Sequence, residues 1–200
     1  MKSKKRMSTY ELVLLSLLAA IVVVLQLWGS LIKFGPFSVS LVLLPISIGA
    51  ALAGIPAGGL LGLVFGAVVL LSGDAAPFLA VSVPATIGLV LVKGTAAGLL
   101  SGIVYRAAEG KNKTLAAVLS AVCCPVVNTG LFIVGVYLFF LPTVSGWGVS
   151  AGAENVTKYI FLMMIGTNFL FELGLNLILS PITVRLVQYG RSRRLAAKNS

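Results

Sequence analysis

Five polar side chains stand inside long apolar stretches of this chain: Lys93, Asn128, Asn168, Glu172 and Asn176. Asn168, Glu172 and Asn176 recur every four residues, so they share one stripe of a helix. An ammonium at Lys93 can neutralise a carboxylate or phosphate on a ligand. The asparagines offer paired donors and acceptors. A charge in the middle of a bilayer costs at least about 2.5–3.5 kcal/mol, so Lys93 and Glu172 must face the interior of a bundle. Two readings stay open, and both can hold together: an ion pair locking two helices, or a polar binding pocket. Phe132, Tyr137, Trp147 and Phe169 are candidates for stacking surfaces around such a pocket.

Catalysis has little to work with. The chain has no histidine, which excludes His-based triads, His general bases and His-ligated metals. Gly110–Lys111 lacks the other residues of a phosphate-binding P-loop. Cys123 and Cys124 are adjacent, without the spacing of a zinc site. No catalytic residue, metal or cofactor is therefore expected. A membrane enzyme working on lipid headgroups, with Glu172 as general base, is one alternative. It needs further acids nearby, and the outer loops offer only Asp74 and Glu154. A non-catalytic membrane scaffold is the other.

The elements that must position these residues are apolar helices. At 58% hydrophobic, 10% charged and a mean hydropathy of +1.08, the chain falls far below the roughly one quarter charged residues of soluble domains. The expected class is all-α: a polytopic membrane protein, one membrane domain built as a six-transmembrane-helix bundle. The spans fall at about residues 9–28, 39–53, 56–72, 84–106, 114–141 and 159–186. Lys2 to Arg6 precede the first apolar run as in a signal peptide, but no small-x-small cleavage site follows, so the run reads as a span. Pro125 supplies a cause for a kink in span five.

Charge fixes the expected orientation. Twelve of the 15 basic residues lie in three clusters: Lys2, Lys4, Lys5, Arg6; Arg106, Lys111, Lys113; and Arg185, Arg191, Arg193, Arg194, Lys198. The positive-inside rule puts all three clusters, and both termini, in the cytoplasm. The net charge of +10 is placed for anionic lipid headgroups rather than for nucleic acid. The outer segments are then 29–38, 73–83 and 142–158. The first reads as a structured cover containing Phe37, the third as a loop containing Trp147 that can close over a ligand. At 1.5 Å per residue, Lys93 lies roughly 13 Å below Pro84, Asn128 about 20 Å below Leu141 and Asn168 about 14 Å below Tyr159. Three helices thus bring polar groups to similar depth.

Small residues mark packing faces. Ala50, Gly54, Gly58, Gly62 and Gly66 follow at intervals of four, as do Gly94, Gly98 and Gly102, and Ser16 with Ala20. Such faces let backbones approach closely. They serve either internal packing or docking onto another membrane subunit.

Taken together, the chain resembles the substrate-binding S component of energy-coupling-factor (ECF) vitamin transporters. The resemblance runs through Gly35–Pro36–Phe37–Ser38–Val39–Ser40–Leu41, then Pro45, Gly49, Gly54, Pro56, Gly58, Gly62 and Gly66. It continues with Lys93–Gly94 and Cys124–Pro125–Val126–Val127–Asn128–Thr129–Gly130. It implies a plasma-membrane protein, expected in a bacterium, that binds a water-soluble vitamin or precursor (pantothenate-, riboflavin- or folate-like) in its outer half. Lys93, Asn128, Asn168, Glu172, Asn176, Trp147 and Phe37 are the expected substrate-binding residues. It further implies docking through spans one to three onto a transmembrane coupling subunit that carries two cytoplasmic ATPase subunits. Ser16, Ala20, Gly58 and Gly62 are the expected docking residues. The family's Ala-xxx-Ala motif has Ser16-xxx-Ala20 as its nearest match here.

Overall fold

The computed structural model describes residues 9–31, 33–34, 37–38, 41–153, 155–160 and 166–199. Helix α1 (Thr9–Gly29) leads to a hairpin in which β1 (Lys33–Phe34) pairs antiparallel with β2 (Phe37–Ser38). Helices α2 (Leu43–Ala53) and α3 (Ile55–Leu71) follow, joined through Gly54 at φ 98°. That left-handed conformation suits glycine, and Pro56 opens the next helix. A short α4 (Ala76–Leu79) precedes α5 (Val83–Ala108) and α6 (Lys113–Gly135). Asn112 caps α6: its side chain accepts from the backbone N–H of Thr114 and Leu115 at 2.9 and 3.1 Å. Asn155 caps α8 (Val156–Lys158) in the same way, as asparagine commonly does.

Two expectations about helix ends are corrected. The segment 142–158 is not a loop through most of its length. The chain continues from α6 through a π turn (Val136–Phe140) into α7 (Leu141–Ser150). Pro142 explains the detour. It has no N–H to donate, and its ring excludes the carbonyl four residues back. The widened turn absorbs the mismatch, Phe140 leaves helical geometry at φ −126°, ψ 5°, and the helix restarts with proline in its first turn. Likewise α9 (Thr167–Asn199) does not stop near residue 186. The apolar run ends there, but Arg193, Arg194, Leu195, Ala196, Ala197 and Lys198 are strong helix formers.

Among the described residues, four helical stretches are long and apolar enough to cross a bilayer: Thr9–Gly29, Val83–Ala108, Lys113–Ser150 and Phe169–Tyr189. Helices α2 and α3, at 11 and 17 residues, reach roughly 16 and 25 Å against a hydrocarbon layer of about 30 Å. Helix α2 touches α1, α3, α5, α6 and α9. Nearly all its residues are buried, which accounts for a sequence apolar on every side.

The tightest packing joins α3 to α5. A Cβ added to Gly58 would strike the Gly98 carbonyl, and one on Gly62 the Gly94 carbonyl. On Gly66 it would lie 2.9 Å from the Val90 carbonyl oxygen. The partners descend α5 as the glycines ascend α3, so two antiparallel backbones lie in contact along three turns. Gly58 and Gly62 are therefore turned onto α5, and the docking role expected of them is corrected to internal packing.

A hydroxyl pair locks α5 to α6. Ser101 Oγ lies 2.7 Å from Ser120 Oγ and donates to the Ser120 carbonyl at 2.9 Å, both residues being buried. Ser101→Ala leaves the Ser120 hydroxyl without this partner and is expected to cost roughly 0.6–2 kcal/mol of stability. The double variant S101A/S120A should recover part of that. Thermal denaturation in detergent reads both.

Candidate functional site

Lys93 lies on α5, one residue before the Gly94 contact with α3. Its ammonium stands 5.1 Å from the ring centroid of Phe132 on α6 and 5.8 Å from that of Phe65 on α3. Both distances fall within cation–π range, where desolvated pairs contribute up to about 2 kcal/mol. The opposite charges of Glu172 and Asp74 also act on it. Lys93 keeps partial accessibility although protein surrounds it.

Helix α9 packs against α6 and brings Glu172 and Asn176 inside, 3% and 1% exposed. Asn176 Nδ2 donates to the Glu172 backbone carbonyl at 2.8 Å, and its Oδ1 is left buried without a partner. Asn128 on α6, 4% exposed, likewise has a buried Oδ1 with no partner. Asn128 is one turn from Cys124, a residue that the Glu172 charge reaches, and one turn from Phe132, which holds Lys93. The level of Lys93 and Asn128 is thus tied by a contact. The count from Leu141 does not supply it, because the helical path runs on to Ser150.

Aromatic rings continue from Phe132. Phe78 on α4 meets Phe132, Phe140 and Trp147 edge-on, with centroids 5.6, 5.0 and 5.4 Å apart. Trp147 is half-buried here, on a helix instead of a loop, and a run of ring contacts links it to Lys93. Phe169 packs against the same cluster. Tyr137 does not join it, being 37% exposed. Phe37 falls in β2 and Asn168 in α9, and both side chains lie outside the described residues. Ser16 and Ala20 are exposed on α1 beside Val13, Leu17 and Val24, forming one apolar outer stripe.

Four residues of this region escaped sequence reasoning. Phe65 and Phe78 look like ordinary core. Gln26 Nε2 donates to Asp74 Oδ2 at 2.6 Å, and Ser72 Oγ joins the same oxygen at 3.2 Å. This clamp fastens the end of α1 to the turn after α3. The available signal was a glutamine among Leu25, Leu27 and Trp28 at the end of a span, where an amide needs a partner. Among the described residues, no three His, Cys, Asp or Glu side chains gather into a metal-ligating group.

Apolar helices enclosing a cation, a carboxylate and buried amides define a multi-pass membrane protein with an internal polar site. The family model of the ECF transporter, substrate-specific component, matches residues 10–184, and the chain belongs to that family. No curated protein and no solved structure matches it significantly. Membership makes it a membrane S subunit of an ECF importer, a transporter subunit that works with a coupling module and ATPases on a small-molecule substrate.

Proposed function

We propose that this chain captures a water-soluble vitamin or precursor, of pantothenate-, riboflavin- or folate-like kind, from the outer side of the plasma membrane. It holds the ligand between α5, α6 and α9 and passes it inward through a separate transmembrane coupling subunit driven by two cytoplasmic ATPases. Lys93, Asn128, Glu172 and Asn176 form the polar wall, with Asn168 on the same stripe. Trp147 and Phe37 belong to the outer cover. The supporting observation is the enclosed Lys93 ammonium on α5 together with buried amide oxygens that have no partner, Asn128 Oδ1 on α6 and Asn176 Oδ1 on α9. Buried polar groups are normally paired, and a bound ligand would complete this set. Helices α2 and α3 make a short paired crossing in this reading, giving six spans with both termini cytoplasmic and the basic clusters inside.

Binding should need no ATP. Purified protein is expected to bind one of the three vitamins by equilibrium dialysis, and vesicle uptake should require the ATPases. Absence of ATP-independent binding would remove the proposal.

The stripe of Ser16 and Ala20 is the proposed docking face. Small residues there admit a partner helix closely. Ser16→Leu with Ala20→Leu is expected to abolish uptake by the assembled transporter and leave vitamin binding within about twofold, since exposed substitutions perturb the fold little. Co-purification of the coupling subunit checks the first half, and dialysis the second.

A further inference from the structure

The tie between α5 and α6 and the tie between α1 and the turn after α3 are built differently. Ser101 and Ser120 pair hydroxyl to hydroxyl and onto a backbone carbonyl, with both residues buried. Gln26, 1% exposed, gives its Nε2 to Asp74 Oδ2, but its Oε1 is buried with no partner among the described residues. A buried acceptor left unpaired works against the closed contact. The serine tie is therefore a rivet, whereas the glutamine tie opens more easily. Asp74 is only half-buried and shares its Oδ2 with Ser72 Oγ. The turn that carries it runs through Gly73, at φ 87° with nothing within 4 Å of an added Cβ, so the turn is not packed in on that side.

Two routes lead from this clamp to Lys93. The charge of Asp74 acts on it directly. The second route runs through the backbone. Ala76 N–H bonds the Gly73 carbonyl and Phe78 N–H the Ala75 carbonyl, so Phe78 is carried on the turn that Asp74 anchors. Phe78 is the hub of the rings, meeting Phe132, Phe140 and Trp147, and Phe132 is a ring against which Lys93 rests. We infer that Gln26 and Asp74 are positioning residues that latch access to Lys93. While Nε2 holds Oδ2, Phe78 keeps the ring group closed. When that bond breaks, α4 moves from α1, the rings part, and a small polar molecule reaches the ammonium. This rests on the reading that the ligand enters from the outer side, and it names the contact that controls entry.

The test reads access without any vitamin. Leu89, one turn from Lys93 on α5, packs against the ring group. Leu89→Cys, with Cys123→Ala and Cys124→Ala, places a single thiol among the rings. The rate at which a charged, water-soluble methanethiosulfonate reagent modifies it in the full-length protein measures how often the rings part. Gln26→Leu and Asp74→Ala are each expected to raise that rate about tenfold or more, as loss of a hydrogen bond to a charged group allows. Asp74→Asn keeps an acceptor for Nε2 and offers an N–H to Oε1, so its rate should stay within about threefold of the parent. Melting temperatures are measured alongside, and a merely structural tie would not produce this split in access between alanine and asparagine. If Gln26→Leu fails to fold, Asp74→Ala carries the comparison. Unchanged rates with the fold intact overturn the inference. So does an Asp74→Asn protein as fast as Asp74→Ala, which would make the charge the control instead of the clamp. Failure of both opening variants to fold makes the clamp a rivet and overturns the inference too. Since no vitamin enters the measurement, failure of vitamin binding would remove the importer reading and leave this result standing.

Discussion

Lys93→Ala should weaken ligand binding by about 30-fold or more, the low end of the roughly 2–5 kcal/mol lost when a desolvated charge loses its partner. The ammonium is the cation enclosed between α3, α5 and α6, over two rings and under the influence of Glu172 and Asp74. Removing it also leaves Glu172 buried with less opposing charge, which should lower stability. The double variant K93A/E172Q separates these effects. If Lys93 serves the ligand, the double variant regains melting temperature but not affinity. Recovery of full affinity would reduce Lys93 to a structural partner of Glu172.

Gly62→Leu and Gly98→Leu are expected to abolish the folded protein. Each added side chain would have to occupy the backbone of the facing helix: the Gly94 carbonyl for Gly62 and the Gly58 carbonyl for Gly98. Ordinary core overpacking costs about 1–3 kcal/mol because side chains can yield. Here the obstacle is main chain on both sides, and neither helix can retreat without opening the contact along three turns. Gly88→Ala is the control, since nothing lies within 4 Å of its added Cβ. It should fold as well as the parent. Size-exclusion profiles of the detergent-solubilised variants would distinguish the outcomes, and a monodisperse Gly62→Leu protein would contradict this packing.

The glycine series shows what the sequence could and could not say. Spacing of four made Gly58, Gly62 and Gly66 a close-packing face. It could not choose between an internal helix and an outside partner, because the choice depends on register with Gly94 and Gly98. The polar site was legible because Lys93, Glu172 and Asn176 are costly in an apolar run, and cost alone forces them inward. Phe65 and Phe78 were invisible for the opposite reason: an aromatic in an apolar run costs nothing and carries no signal. The helix ends misled where two rules competed. The expected span five ends at residue 141, but a π turn carries the helical path on past Pro142. At residue 186 hydropathy falls while the helix continues, since the two are independent properties. Gln26 does carry a signal, since an amide at the end of an apolar span needs a partner.

The central claim is that the enclosed polar groups of α5, α6 and α9 exist to hold a small water-soluble molecule. Mass spectrometry of compounds released from the gently purified protein tests this most directly. The expected result is a single vitamin or vitamin precursor near one per chain, much reduced in the Lys93→Ala protein. Release of lipid and detergent alone, from parent and variant alike, would contradict it.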